Sequence, residues 1–94
     1  MREDAPKPVP AALPLVERLT VYGADWCGDC RRTKLFLDQT GTPYAWVDTA
    51  ADAGARAMLM EAGYLAIPVV LIPGGIVLVE PSNDELAAAI GVVV

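Results

Sequence analysis

The sequence contains no histidine and only two cysteines. Histidine is the commonest general base and the commonest zinc ligand in proteins, so its absence removes both of these possibilities. Basic residues are also few, because 7 Lys and Arg stand against 12 Asp and Glu, a net charge of −5. This balance argues against a nucleic acid or an anionic membrane as a partner.

Long apolar runs are missing as well. No stretch approaches the roughly 20 apolar residues that span a bilayer, because the longest candidate, residues 64–79, is interrupted by two prolines and two glycines. The opening residues, MREDAPKPVPAALP, contain no apolar core of a secretory signal. We therefore expect a cytoplasmic protein, and a purely structural disulfide is not expected in that compartment.

The 94 residues are enough for one small domain. Residues 1–14 carry four of the eight prolines and no periodic pattern, which predicts a disordered or extended tail. Residues 15–94 predict an α/β domain in the order β-α-β-α-β-β-α, with a mixed four-stranded sheet flanked by helices. Its first two strands are predicted to be parallel and its last two to form a hairpin.

Capping residues and apolar spacing define the predicted helices. The first helix is predicted to begin at the second cysteine, Cys30, and to bury Leu35 and Phe36. Thr49 and Asp52 have the spacing of a capping box before the second helix, although Asp replaces the usual Glu. Ser82 and Glu85 form a complete capping box before the third helix.

Both cysteines lie in the stretch Cys27–Gly28–Asp29–Cys30, between the first strand and the first helix. If Cys27 begins the helix, Cys30 lies one turn later on the same face, so a disulfide can form and break without refolding the domain. Free N–H groups and the helix dipole favour the thiolate of Cys27. This interpretation makes Cys27 the attacking thiol and Cys30 the less exposed resolving thiol.

Two other interpretations of the cysteine pair have less support. A zinc half-site would need a second cysteine pair or histidines, which this chain does not contain. A static disulfide across four residues would constrain the unfolded chain very little. A Cys-x-x-Cys between a strand and a helix therefore favours a redox pair over both alternatives.

The stretch VYGADWCGDC resembles the strand–Cys-x-x-Cys–helix entry of the thioredoxin-fold redoxins. Chain length and the later stretch AIPVVLIPGGIVLVEPSNDEL are more similar to glutaredoxins. Among these, the Trp-Cys-Gly-x-Cys site and VEPSNDEL most resemble the actinobacterial mycoredoxins, which act on mixed disulfides with mycothiol. The resemblance covers Arg18 to about Ile90 and leaves out the proline-rich tail.

The resemblance implies roles for several residues. It places the nucleophile on Cys27, the resolving thiol on Cys30 and the cis-proline of the family on Pro68. The backbone of Ile67 would then pair with an extended thiol substrate. The family's Thr-Val-Pro is replaced by Ala66–Ile67–Pro68, so the threonine hydroxyl is missing.

Further binding residues also follow from the resemblance. Trp26 is expected to shield the site or to line the substrate groove. Ser82 and Asn83 are expected to cap the third helix, and its N-terminus would face the substrate thiol and bind a polar or anionic group. Glutathione-dependent members usually carry a basic residue shortly before the first cysteine, whereas this chain has Ala24–Asp25. That difference favours a sugar-based thiol such as mycothiol over glutathione.

The predicted function is that of a small monomeric thiol–disulfide oxidoreductase without a resident cofactor or metal. It would reduce disulfide-containing or S-thiolated proteins with a low-molecular-weight thiol such as mycothiol or glutathione as co-substrate. One alternative is a thioredoxin-like electron donor that a flavoprotein reductase recycles. The other is a carrier in which two chains bind one [2Fe–2S] cluster through Cys27 and added thiols.

Overall fold

The computed structural model describes residues 7–11 and 13–91. The strands are β1 Lys7–Pro8, β2 Thr20–Gly23, β3 Ala45–Asp48, β4 Val69–Ile72 and β5 Ile76–Val79, and the helices are α1 Gly28–Gln39, α2 Ala53–Glu61 and α3 Asn83–Ile90. From β2 onward the order is the predicted β-α-β-α-β-β-α. Within the described ranges, no helix is long and apolar enough to cross a membrane.

One mixed sheet contains all five strands in the order β1-β5-β4-β2-β3. The pair β2 and β3 is parallel, while β4 runs antiparallel to both β2 and β5. These pairings confirm the predicted parallel pair and the predicted hairpin. The sheet brings the end of β2, where the cysteine pair begins, beside the start of β4 because Tyr22 pairs with Val69.

Side chains of the central strands alternate between two apolar cores, as the two-residue period of a strand requires. Val70 belongs to the core that contains Leu37 of α1 and Leu86 of α3. Its neighbour Val69 belongs to the core that contains Leu59 of α2. Helices α1 and α3 therefore cover one face of the sheet and α2 covers the other, which explains why β4 is apolar at every position.

The N-terminal segment differs from the prediction of a disordered tail. Lys7–Pro8 pairs antiparallel with β5, and the N–H of Val9 donates to the carbonyl of Gly75 at 2.9 Å. Leu13 is buried in the same core as α2. The sheet thus has five strands rather than four, because the edge of β5 and an apolar face were available to this segment. Residues 1–6 and residue 12 of the predicted tail lie outside the described ranges, and a domain boundary at residue 14 stays a prediction.

Within α1 the prediction that Leu35 is buried was wrong. Leu35 is 56% exposed, whereas Thr33, Phe36 and Leu37 are buried. The buried face is set by Cys30, since residues three and seven positions later share its side of the helix. Leu35 lies outside that face, so its apolar character does not place it in the core.

The N-termini of the other two helices were predicted with mixed success. Asp52 itself caps α2 by accepting the N–H of the residue three positions on at 3.0 Å. Thr49 instead donates its hydroxyl to the carbonyl of Gly23 at 3.1 Å, so the proposed capping box was wrong. For α3 the capping box is confirmed, because Ser82 and Glu85 exchange both hydrogen bonds.

Candidate redox site

Cys27 is the N-cap of α1, at the point where the chain leaves β2. Its backbone is extended, and its Sγ accepts a hydrogen bond from the N–H of Cys30 at 3.3 Å. An N-cap atom lies at the positive end of the helix dipole, where an anion is favoured. The residue is half-buried, so one side of its thiol remains accessible. This geometry suits an attacking thiolate.

Cys30 lies one turn further along the helix and has no exposed surface. Burial raises the pKa of its thiol to about 12, and the hydrogen bond and charge of Cys27 and the charge of Asp29 act in the same direction. A hydrogen bond with the backbone of Ala24 partly opposes this rise in pKa. The two cysteines therefore differ sharply, because Cys30 is a protonated thiol at neutral pH and no solvent reaches it.

The buried thiol fits because residue 23 is a glycine. A Cβ at Gly23 would lie 2.6 Å from the Sγ of Cys30 and 3.0 Å from the ring of Trp46. The sequence predicts no more for Gly23 than the end of the first strand. A close approach of this kind is one of the uses of glycine in a strand, but the sequence does not say which atom approaches.

The segment before β4 lies beside the nucleophile. The peptide bond between Ile67 and Pro68 is cis, as predicted. The Sγ of Cys27 lies 4.0 Å from the carbonyl oxygen of Ile67, and Pro68 is buried. The structure thus brings both residues to the cysteine pair, while their part in substrate binding stays a prediction.

A groove of about 430 Å³ opens on the α2 side of Cys27. Its lining includes Trp26, Arg56, Met60, Tyr64, Leu65 and Ile67. Trp26 is predicted to line a substrate groove, and it lies here with 74% of its surface exposed. The contribution of α2 and of the loop after it was missed, because nothing in the sequence links those residues to the cysteines.

A second groove, of about 420 Å³, lies on the α3 side. It is lined by Asp29, Arg32, Glu80, Ser82, Asn83 and Asp84. Arg32 donates to the side-chain oxygen of Asn83 at 2.6 Å and to the carbonyl of Pro81 at 2.9 Å. The hydroxyl of Ser82 accepts the N–H of Glu85. The predicted residues Ser82 and Asn83 therefore both line this groove. Their side-chain oxygens already accept hydrogen bonds within the chain, and three carboxylates lie around them.

The remaining basic side chains of α1 are also engaged. Lys34 lies 3.5 Å from the carboxylate of Asp25, and its Nζ lies 3.9 Å from the ring centroid of Trp46. Arg31 donates to the carbonyl of Asp25 at 2.7 Å. These contacts fix the turn between β2 and α1, and each basic side chain of α1 has at least one partner among the described residues.

The assembled groups support one kind of chemistry. A thiolate at Cys27 can attack a disulfide, whereupon it bonds to one sulfur and the other sulfur leaves with the electron pair. Among the residues that the structure describes, no group of three or more His, Cys, Asp or Glu could hold a metal ion. The arrangement thus favours thiol–disulfide exchange.

The family model named Glutaredoxin matches residues 19–77, more than half of the chain. This chain belongs to the glutaredoxin family. A candidate glutaredoxin of Mycobacterium tuberculosis, found in two strains, is 33% identical over 72 residues, covering 74% of this chain and 86% of the relative. The family-model match includes the cysteine pair, α2 and Pro68.

Solved structures agree with that assignment. A variant of a thioredoxin-like protein has a TM-score of 0.72 at 25% identity, covering 83% of this chain and all (100%) of that one. The glutaredoxin-like NrdH-redoxin of Escherichia coli has a TM-score of 0.69 at 24% identity, covering 76% and 92%. A buckwheat glutaredoxin in complex with glutathione has a TM-score of 0.58 at 26% identity, covering 74% and 64%. The predicted thioredoxin-like fold is confirmed, and this glutaredoxin is a thiol–disulfide oxidoreductase.

Proposed function

We propose that this glutaredoxin reduces mixed disulfides between proteins and a low-molecular-weight thiol, with Cys27 as the nucleophile. The observation that carries the proposal is the contrast within the pair. Cys27 caps a helix with one side of its thiol accessible, while Cys30 is fully buried behind it. Only one of the two sulfurs is thus open to a substrate.

The reaction needs two exchanges at that sulfur. The Cys27 thiolate attacks the small-thiol sulfur of the mixed disulfide, and the protein sulfur leaves with the electron pair and takes up a proton. A second small thiol, as its thiolate, then attacks the small-thiol sulfur bound to Cys27. This step releases the Cys27 thiolate and a disulfide of the two small thiols.

The buried thiol is less suited to the second exchange. Cys30 must lose its proton before it attacks Cys27, and burial is the largest cause of its raised pKa of about 12. At neutral pH only a very small fraction of Cys30 is thiolate. A small thiol from solution therefore completes the cycle on mixed disulfides. When the substrate is a protein disulfide, the protein bonded to Cys27 keeps small thiols away, and Cys30, one turn from Cys27, completes the exchange.

The charges around the site favour a small thiol with few carboxylates. Asp29, Glu80 and Asp84 line the α3-side groove, and Arg32 there is already bonded to Asn83. If glutathione bound in this groove, its two carboxylates would be repelled by these charges. Mycothiol, whose polar groups are sugar hydroxyls, would not be repelled by these carboxylates. We therefore propose mycothiol as the preferred co-substrate, with glutathione as the comparison.

The test is a coupled assay with one S-thiolated model protein for each thiol. Mycothiol with its reductase, or glutathione with its reductase, is supplied in excess, and NADPH consumption is followed. We expect turnover with mycothiol and at least tenfold slower turnover with glutathione. No turnover with either thiol would contradict the proposed function, whereas equal turnover would contradict only the choice of thiol.

A second candidate function is electron donation to protein disulfides, with a flavoprotein reductase as the source of electrons. It is supported by the second cysteine, which lies one turn from Cys27 and which the exchange of small thiols does not need. The NrdH-redoxin relative is described as having a thioredoxin-like activity profile. NADPH-dependent reduction of a protein disulfide with thioredoxin reductase and no small thiol would favour this candidate.

A further inference from the structure

We infer that the α2-side groove binds an extended protein segment carrying an apolar side chain and a carboxylate next to its disulfide cysteine. The inference rests on the proposed function, in which Cys27 is the nucleophile, and it specifies which protein segment the site prefers when Cys27 attacks a protein sulfur. Three features of the groove support it. They are its exposed apolar side chains, its single free cation and its continuity with the nucleophile.

The apolar part of the groove is unusually exposed. Leu65 is 82% exposed, Trp26 is 74% exposed and Met60 is 52% exposed, and all three line the same groove. Single exposed apolar side chains need no explanation, but a cluster rimmed by polar groups marks an interaction site. These three side chains come from the turn before α1, from α2 and from the loop after α2. The fold therefore assembles the cluster from distant parts of the sequence.

The charge of the groove comes from Arg56. Arg31, Arg32 and Lys34 of α1 all have partners within the chain. Arg56 is exposed, and its guanidinium has no ion pair or hydrogen bond with the described residues. Arg56 is thus a cation in the lining of this groove that remains available to an anion. A substrate carboxylate is therefore better placed beside Arg56 than in the α3-side groove, where three carboxylates already lie.

The groove is continuous with the reacting sulfur. Ile67 lines it, and the carbonyl of Ile67 lies 4.0 Å from the Sγ of Cys27. When Cys27 attacks the cysteine sulfur of an extended segment, the next residues of that segment lie about 3.3 Å further along per residue. They therefore reach Leu65 and Arg56. An apolar side chain next to the cysteine would cover Leu65 and Trp26, and an acidic one beyond it would pair with Arg56.

The test measures the first attack alone. Short amidated peptides carry a cysteine whose sulfur is bonded to 2-thiopyridine, an uncharged leaving group. The Cys27 thiolate attacks the peptide sulfur, a Cys27–peptide disulfide forms, and thiopyridine leaves with the electron pair and is followed by its absorbance. Symmetrical peptides remove the question of chain direction. They are Glu-Leu-Cys-Leu-Glu, Gln-Leu-Cys-Leu-Gln and Glu-Ser-Cys-Ser-Glu.

For the reduced wild-type protein we expect the leucine peptide to react about fivefold faster than the serine peptide. This ratio should fall to below about twofold in Leu65→Ser. The matched control is Leu35→Ser, which truncates an exposed leucine of α1 outside the groove and should leave the ratio unchanged. Both leucines are exposed, so neither truncation is expected to unfold the protein.

The glutamate peptide is compared with the glutamine peptide in the same way. Relative to wild type, Arg56→Gln should lower the ratio of their rate constants about threefold, and 1 M salt should remove the difference. Arg18→Gln changes the net charge equally at an exposed residue of another surface and should leave the ratio unchanged. Equal ratios in all variants would overturn the inference without touching the proposed function. A Cys27 that reacts with none of the peptides would contradict the proposed function instead.

Discussion

The Sγ of Cys30 lies against the backbone of Gly23, at 2.6 Å from where a Cβ would stand. The buried thiol of α1 therefore occupies the space that a side chain at the end of β2 would need. This contact couples the sheet to the resolving cysteine. It also explains how a sulfur only three residues from the half-exposed Cys27 is completely buried.

Gly23→Ala should destabilise the protein by about 1–3 kcal/mol, because the added methyl group forces Cys30 or the start of α1 to move. Urea unfolding under reducing conditions measures this change. Gly28→Ala is the matched control, since a Cβ there would meet nothing closer than the guanidinium of Arg31 at 3.8 Å. That control should be neutral or slightly stabilising. Equal stability of Gly23→Ala and wild type would show that the Cys30 thiol moves without cost.

Substitution of each cysteine separates their roles. Cys27→Ser should abolish reduction of every disulfide, because Cys27 is the accessible thiol. Cys30→Ser should keep activity on mixed disulfides with a small thiol and lose activity on protein disulfides. The two substrates are assayed side by side with each variant. If both variants lost mixed-disulfide activity equally, a small thiol would not be completing the cycle.

Stability should fall at alkaline pH through Cys30. Its thiol titrates near pH 8.5 in the unfolded chain, whereas burial raises the folded pKa to about 12. The protonated Cys30 stabilises the fold fully below the pKa that its thiol has in the unfolded chain. This stabilisation is lost as the pH rises towards the pKa of the thiol in the folded protein. Within that pH window, the free energy of unfolding should fall by up to about 1.4 kcal/mol per pH unit.

The measurement is urea unfolding of the reduced protein between pH 8.5 and 10. Cys30→Ala should remove most of the slope in that range. Burial also raises the pKa of Tyr22 and of Tyr44, so tyrosine titration adds to the loss of stability only above pH 10. An identical slope in wild type and variant would mean that Cys30 is not protected in the folded state.

Thr33 offers a stabilising substitution. Its hydroxyl is buried and has no hydrogen-bond partner among the described residues. Thr33→Val keeps the shape and removes the unsatisfied group, which should raise the free energy of unfolding by about 1 kcal/mol. Thr49→Val is the control, because the Thr49 hydroxyl donates to Gly23 and its loss should be destabilising. A less stable Thr33→Val would show that its hydroxyl has a partner after all.

Local features of the fold could be read from the sequence. The capping box at Ser82, the hairpin around Gly74–Gly75 and the position of the cysteine pair all depend on residues a few positions apart. The resemblance to glutaredoxins added the cis bond before Pro68 and the family itself. These parts of the prediction are confirmed.

Long-range packing could not be read in the same way. The contact between Gly23 and Cys30, and the place of Arg56 in one groove with Trp26, depend on how the helices lie on the sheet. Leu35 was assigned to the core from its apolar character, although the face of Cys30 decides which side of α1 is buried. The strand Lys7–Pro8 was missed because its pairing partner lies nearly 70 residues away, at Ile76 and Val77.

That short strand determines how far the sheet can extend. It covers the outer side of β5, so a strand from another molecule cannot add there. Lys7–Pro8 then becomes an outermost strand of two residues, and Pro8 has no N–H to donate. Short strands and prolines at a sheet edge discourage intermolecular pairing. The N-terminal segment therefore terminates the sheet on this side and limits its tendency to aggregate.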